Sequence, residues 1–344
     1  MAACLKRASE IARAYLDGLP ERHVNARETE AARLNALGGP LPDGPHDPVK
    51  VIEDLAANAD AGLVATAGPR YFGFVTGGSF PIAVAADWLV STWDQNAALH
   101  VMSPAMAAIE DTAAAWLVDL FGLPKDASVG FVTGAHMANV TALASARHEV
   151  LRRAGWDVEA RGLQGAPRVH VVASVEAHAS IGAACRMIGL GAETTTRVAA
   201  DDQGRMRPDD LSRTLEGCDG PTIVCAQVGN VNTGACDPMG PIADAARARG
   251  AWLHVDGAFG LWAAAAHPLR HLVAGVERAD SWTTDGHKWL NVPYDSGIVC
   301  VAHPAAHHAA MSQTAAYLIR ADGDARDGID WTPEASRRGR AVPV

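Results

Sequence analysis

The run "SVGFVTGAHMANVTAL", Ser128 to Leu143, passes from a β-branched strand to a helix through one Thr-Gly turn. The same strand grammar recurs along the chain in "RVHVVAS" (168–174), "TTTRV" (194–198), "PTIVCA" (221–226), "AWLHV" (251–255), "DSWTT" (280–284) and "GIVCVA" (297–302). Helical stretches such as Met137 to Ala154 and Ile242 to Arg249 lie between several of these runs. Short apolar runs alternating with helices predict an α/β fold, with a mostly parallel seven-stranded sheet covered on both faces. Ligands of such sheets bind beyond the strand ends. The Thr133-Gly134-Ala135 turn is therefore the first place to look, because its N–H groups and the helix dipole favour an anion such as phosphate. The plainer alternative is a strand-to-helix turn with Thr133 as N-cap.

Outside this region the sequence is less regular. A helix is predicted over Ala8 to Gly18, followed by the Gly/Pro-rich passage "LGGPLPDGPHDP" (37–48), which reads as a linker. We expect an N-terminal helical segment and linker at 1–60, a large α/β domain at 61–310, and a loop followed by the start of a further domain at 311–344. The chain has 344 residues, 49% of them hydrophobic and 20% charged, enough to bury a sizeable core. Its net charge of -10 argues against general nucleic-acid or anionic-membrane binding and favours a small-molecule partner. Six scattered cysteines without a CxxC pair indicate neither a zinc site nor a disulfide framework, which fits a reducing cytoplasm. "MAACLKRASEIARAYLDGLPERHV" has no signal-peptide core, and no window has the length and apolarity of a membrane span.

Two further stretches end predicted strands with chemistry-bearing residues. "LHVDGAFGLW" (253–262) delivers Asp256, which either caps the next turn or balances a cation such as a protonated ring nitrogen, with Gly257 and Ala258 as small residues beneath a flat ring. "DGHKWLNVPYDSG" (285–297) places Lys288 just past "DSWTTD". Lys288 is either a surface lysine beside a packed Trp289 or an amine in a partly dry cleft near other cations, able to attack a carbonyl. A phosphate cradle, a carboxylate for a ring nitrogen and an imine-forming lysine are the three protein parts that pyridoxal 5'-phosphate requires.

On these motifs the chain resembles the group II pyridoxal-phosphate-dependent amino-acid decarboxylases, which include the aromatic-amino-acid and glutamate decarboxylases. The likeness runs from about Tyr71 to Arg338. "HVDGAF" (254–259) resembles the family's His-Val-Asp-Ala-Ala-Tyr element, and "GHKWL" (286–290) its Pro-His-Lys-Trp element. The resemblance implies the aspartate-aminotransferase-like fold (fold type I), a cytoplasmic homodimer with active sites at the subunit interface, and decarboxylation of an L-amino acid to an amine and carbon dioxide. It implies that Lys288 carries the cofactor and that Asp256 pairs with the ring nitrogen. His178, in "EAHASIGAACRMIGLG" (176–191), would stack on the ring, although a helix-start histidine has the same look. Thr133, Gly134, Ala135, His136 and His287 would surround the phosphate, and Ala258, Asn232 and Thr233 would lie near the cofactor, with Asp237 following. Tyr317, 29 residues beyond Lys288 in "MSQTAAYLIR" (311–320), matches the mobile-loop tyrosine that protonates the substrate carbon in these enzymes. An amphipathic surface tyrosine is its alternative.

The sequence also departs from the family. His136 stands where many relatives have a small hydroxyl residue. Asp285 and Gly286 replace Asn-Pro, and an acid beside a phosphate is unfavourable unless it points away. "TPEASRRGRAVPV" (332–344) resembles a segment that leads into a C-terminal domain of about a hundred residues in relatives, within ordinary domain sizes, so the expectation is a chain lacking that domain. His303, His307 and His308 read as a solvated helix face, with no metal site. Substrate selectivity would fall to pocket residues including Tyr71, Phe72 and Phe74. Oxidative deamination coupled to decarboxylation, a carbon-carbon lyase reaction, and a silent cofactor-binding protein are the alternatives to the amine-forming reading.

Overall fold

The computed structural model describes residues 2–320, 323 and 325–344. Positions 321, 322 and 324 of the expected catalytic loop lie outside the described residues. The chain divides into two compact units, Met1–Gly78 and Ser79–Val344, where the sequence placed its first boundary at residue 60. In the first unit, α1 (Ala2–Gly18), α2 (Glu30–Leu37) and α3 (Pro48–Asp60) fully bury none of their residues. Thr29 and Asp47 cap α2 and α3 through their side-chain oxygens, and Pro48 starts α3 where a missing N–H costs nothing.

The second unit holds the sheet. Its helices are α4 (Pro81–Trp93), α5 (Pro104–Phe121), α6 (Ala135–Arg153), α7 (Val158–Arg161), α8 (Ala179–Met187), α9 (Pro208–Glu216), α10 (Met239–Ala248) and α11 (Pro304–Met311). Its strands are β1 (Ser128–Val132), β2 (His170–Ser174), β3 (Thr196–Val198), β4 (Thr222–Gln227), β5 (Trp252–Asp256), β6 (Ser281–Asp285) and β7 (Gly297–Val301). Among the described residues these seven strands form one sheet in the order β1-β7-β6-β5-β4-β2-β3. The expected α/β fold with seven strands is therefore present. Only β7 runs against its neighbours, pairing antiparallel with β1 and β6.

Period-two alternation explains the layers. Val129, Phe131, Val224, Val255 and Trp282 face one core with α5, α9 and α10, while Val132, Val171, Ile223, Trp252 and Val299 face another with α6, α8 and α11. Each large apolar side chain fully buried this way contributes roughly 1.5–3 kcal/mol. Helix α6 lies over the sheet on a face rich in alanine, including Ala138, Ala142 and Ala146, all inaccessible to solvent.

The edge strand β1 is closed by the chain's last segment. Arg326 and Arg337 donate to the Val129 and Phe131 carbonyls at 2.5 and 3.1 Å, and both pair with the buried Glu110 of α5 at 2.9 and 2.7 Å. Gly130 has no side chain because a Cβ there would fall 2.2 Å from the Trp331 carbonyl. The histidines of α11 correct the solvated-face expectation. His307 is fully buried, sharing a 2.9 Å hydrogen bond with Ser128 Oγ and donating to the Trp331 carbonyl at 3.0 Å, because this face of the helix packs beneath the returning segment. Only His308 stays exposed, and His303 pairs with Asp280 at 2.8 Å.

Candidate functional site

The C-terminal ends of β5 and β6 meet the N-terminal end of α6. Asp256 ends β5, only 6% exposed. Its Oδ1 accepts from the Ala258 N–H at 3.1 Å, and its Oδ2 accepts from Asn139 Nδ2 at 3.1 Å and, at a longer 3.4 Å, from Ser180 Oγ. A carboxylate has about four acceptor positions, so three donors leave one for a ligand. Ser180 also ties Asp256 to His178. The Ser180 N–H and Oγ lie 3.2 and 2.8 Å from His178 Nδ1, and the ring itself is exposed at the start of α8.

Asp285 ends β6 and is almost fully buried. It does not point away from the anion-binding turn, as a neighbour of phosphate was expected to do. Its Oδ1 accepts from the Ala135 N–H at 2.6 Å, and its Oδ2 sits 2.8 Å from Lys288 Nζ. Burial alone would raise this acid, but His287 and Lys288 outweigh it and hold the carboxyl below its usual range. The physical reason for the orientation is the unpaired first N–H of α6, which draws a carboxylate to the positive end of the helix. Asp285 thus does what a capping residue does, and the N-cap position itself is Gly134, with no side-chain cap from Thr133. The N–H groups of His136 and Met137, also in the first turn, have no acceptor within the helix.

Lys288 is followed by a turn in which Asn291, at φ 54, donates its N–H to the lysine carbonyl at 3.2 Å. The lysine's nearest charged group is an anion rather than the cations expected, and its Nζ lies 5.9 Å from the centre of the Phe259 ring. His287 is buried, accepts the Ser296 N–H on Nδ1 at 3.1 Å, stacks on Tyr294 at 4.1 Å, and turns Nε2 toward Asp285 at 3.4 Å. Gly257 has no room for a side chain. A Cβ there would lie 2.7 Å from Leu261 Cβ and 3.0 Å from the Thr283 carbonyl.

The structure therefore joins Ala135, Asp256, Ala258, His178, His287 and Lys288 through direct contacts or one shared partner. Ala258 links the two strand ends, since its carbonyl accepts the Asp285 N–H at 3.0 Å. Asn139 and Ala135 are one helical turn apart on α6, so Asp256 and Asp285 meet the same helix face about 6 Å apart along its axis. Thr133 and Gly134 lie half-buried at this turn, and His136 is exposed. The hydrogen bonds of Asn232 and Thr233 run elsewhere: Asn230 Oδ1 accepts both their N–H groups, and Thr233 Oγ1 donates to the Gln203 carbonyl at 2.7 Å. Asp237 accepts the Met206 and Gln227 N–H groups, and burial pushes it up to about 6. Tyr317 is 82% exposed on the segment after α11.

Asn139, Ser180 and His254 were not singled out in the sequence. A signal for the last was present: Trp252, His254 and Asp256 alternate on one face of β5, where an aliphatic strand would carry Val or Ile. The residues present fit pyridoxal phosphate. The free acceptor position on Asp256 suits a ring N–H, the partly exposed Lys288 amine suits a carbonyl, and the unpaired first-turn N–H groups of α6 with His287 suit a phosphate.

Comparison with known proteins agrees. The profile of the pyridoxal-dependent decarboxylase conserved domain matches residues 34–344. The aromatic-L-amino-acid decarboxylase of Bacillus atrophaeus is 29% identical over 337 residues, covering 96% of this chain and 68% of that protein. Tryptophan decarboxylase 1 of Oryza sativa subsp. japonica is 31% identical over 260 residues, 70% of this chain, and the match spans about half of that protein (49%). The solved structure of Oryza sativa TDC with PLP and tryptamine superposes with a TM-score of 0.92 at 24% identity, over 99% of this chain and 72% of that one. The likeness in fold bears out the aspartate-aminotransferase-like, fold type I expectation.

Proposed function

Because the chain belongs to the pyridoxal-dependent decarboxylase family, we propose that it removes the α-carboxylate of an L-amino acid as carbon dioxide and releases an amine, with the cofactor held covalently on Lys288 Nζ. The observation that supports this most strongly is the pairing at adjacent strand ends of Asp256, which keeps one acceptor position open, with Lys288, whose amine is half-buried beside a single carboxylate.

When bound, pyridoxal phosphate supplies an electron-withdrawing ring conjugated to the substrate's Cα, which makes loss of the carboxylate possible. Asp256 accepts the ring N–H and keeps a negative charge opposite it. Lys288 Nζ would hold the cofactor by its aldehyde carbon, with Asp285 Oδ2 2.8 Å away as the ion-pair partner of the free amine. His178 covers one ring face, with Nδ1 fixed by the Ser180 N–H. The first turn of α6 and His287 Nε2 bind the phosphate. Tyr317 Oη gives a proton to the substrate carbon. Asn232 and Thr233 border the cleft.

A cytoplasmic homodimer belongs to the same reading. Among the described residues no helix is long and apolar enough to cross a membrane. Ile82, Trp93 and Trp116 of α4 and α5 are large apolar side chains left exposed, the kind of surface that a second copy would cover. The division at residues 61 and 310, and a catalytic loop after 311, also remain part of the proposal.

Borohydride reduction of the cofactor-loaded protein, peptide mapping and a screen of amino acids with mass detection test this reading together. We expect the adduct on Lys288 and an amine product, and Tyr317→Phe should divert product toward aldehyde with oxygen consumed. An adduct on a different lysine would remove Lys288 from its role. An aldehyde from the unaltered protein would instead favour decarboxylation coupled to oxidative deamination.

A further inference from the structure

Behind Asp256 lies a buried chain of hydrogen bonds whose direction is fixed from both ends. At one end the Trp252 indole, which can only donate, gives its Nε1–H to Ser281 Oγ at 2.9 Å. Ser281 Oγ meets His254 Nδ1 at 2.9 Å, and His254 Nε2 meets Asn139 Oδ1 at 3.0 Å. At the other end an ionised carboxylate can only accept, so the group that Asn139 turns toward Asp256 must be its NH2, at 3.1 Å from Oδ2. The amide oxygen then faces His254, whose Nε2 must carry the proton, and Nδ1 accepts from Ser281. Burial keeps this ring neutral, pushing it down to about 3. Thr283 Oγ1 adds a second donor to Asn139 Oδ1 at 2.8 Å. Trp252, His254, Asn139, Ser281 and Thr283 are all closed to solvent.

The strand register makes this possible. His254 pairs with Ser281, and Asp256 with Thr283, across β5 and β6, so alternate residues of both strands face α6 at the height of Asn139. We propose that Asn139 is the positioning residue of the site: its amide, held in one orientation by the one-way chain from Trp252, fixes the Asp256 carboxylate so that its open acceptor position faces the ring nitrogen of the cofactor. This rests on the assignment of Asp256 to that nitrogen. Without the amide, the carboxylate loses its closest Oδ2 donor and is free to turn toward Ser180 alone.

The test compares Asn139→Ala, Asp256→Asn and the double variant, each loaded with pyridoxal phosphate. It also measures apo-protein affinity for pyridoxal phosphate and for its analogue with carbon in place of the ring nitrogen. Loss of an outer-shell partner typically costs about 10–100-fold. We expect Asn139→Ala to lower kcat by about that much with KM within about threefold, and to weaken pyridoxal phosphate while leaving the carbon analogue unchanged. In the Asp256→Asn background it should add nothing further, since residues acting through one another are not additive. Multiplicative losses, equal weakening of both cofactors, or an unaltered kcat would each overturn the proposal. Should Asn139→Ala not fold, Thr283→Val, which keeps the shape and removes only the hydroxyl donor, must show the same selectivity between the two cofactors at smaller amplitude, and its absence counts against the proposal equally. If Asp256→Asn itself leaves turnover intact, the assignment of Asp256 fails. If it cripples turnover while Asn139→Ala does not, only the role of Asn139 fails.

Discussion

Two buried polar networks stabilise opposite parts of the sheet, and they are built on different principles. At the strand ends, Asp256 is the only charge in a chain of otherwise neutral partners, Asn139, His254, Ser281 and Trp252, and one of its acceptor positions stays open. At the β1 edge, Glu110 sits between Arg326 and Arg337, which also donate to the Val129, Phe131 and Ala97 carbonyls, while Arg337 Nε is buried without a hydrogen-bond partner among the described residues. The first network leaves one carboxylate acceptor position available to a ligand. The second pairs its charges with one another and covers an edge that would otherwise present unpaired carbonyls. The two differ in what faces the carboxylate: among the described residues Asp256 is held by neutral donors with no cation beside it, whereas Glu110 is held between two guanidinium groups.

The largest expected effect lies at the strand ends, beside the open network. Lys288→Ala should abolish turnover, by on the order of 10^3-fold or more, because no other amine stands beside Asp285 Oδ2 among the described residues to carry the cofactor. The melting temperature should move by no more than a few degrees, since the lysine is partly exposed and Asp285 keeps the Ala135 N–H. Activity assays with calorimetry decide this, and a large loss of stability would place Lys288 in the structural class.

Glu110→Ala sharpens the contrast from the other side. It leaves two buried guanidinium groups without their carboxylate, a change that typically costs about 3–5 kcal/mol. For a unit of this size that corresponds to a fall in melting temperature of roughly 10 °C. Below the transition, the visible absorbance of bound cofactor should be unaltered. Loss of that absorbance in folded protein would show that the two networks are coupled.

Much of this was legible in the sequence, for identifiable reasons. Six strands were legible because strands buried on both faces appear as largely apolar runs, as "TIVCAQ" does with every residue buried, and the edge strand β3, with Thr196 and Arg197 exposed, was read from its β-branched residues. Asp256 and Lys288 were singled out because the first ends a strand and the second follows one within three residues. The orientation of Asp285 was not found, since it depends on β6 ending opposite the first N–H of α6, 150 residues away in sequence. Asn139 was hidden inside an alanine-rich helix, where its meaning depends on the register of β5 against β6. The burial of His307 was missed because Ser128 and Trp331, its partners, come from distant parts of the chain.

Acid tests both networks through their neutral histidines, His254 at the strand ends and His307 at the β1 edge, both pushed down by burial to about 3. Each takes up a proton in the unfolded chain near its ordinary value but not in the folded one. Their stabilisation is therefore complete above about pH 6.5 and is lost as pH falls, at about 1.4 kcal/mol per pH unit for each. Asp237 acts oppositely: its folded value of about 6 means that lowering pH below 6 relieves the cost of its buried charge. Between pH 7 and 5 the net loss should be about 3 kcal/mol. Denaturant unfolding across that range measures it, and His307→Gln should flatten the slope by about one proton. An unchanged slope in that variant would mean that His307 titrates normally.

The smallest effect we predict concerns Asp285, which belongs to neither network and touches the first turn of α6 from the lysine side. Its carboxylate holds the Ala135 N–H and the Lys288 ammonium together. Both contacts oppose capture of the cofactor: the negative charge repels an incoming phosphate, and the ion pair must break before the Lys288 amine can meet a carbonyl. Asparagine at this position keeps an oxygen for the Ala135 N–H and removes the charge. Asp285→Asn should therefore bind pyridoxal phosphate faster and more tightly, by a few-fold, in line with about 1 kcal/mol for one partly screened charge contact. The gain should shrink as salt is added. Stopped-flow absorbance at two ionic strengths measures both quantities. Slower capture by the variant would mean that Asp285 assists the lysine instead, by taking its proton at the moment of attachment, and would move this acid into the open network with Asp256.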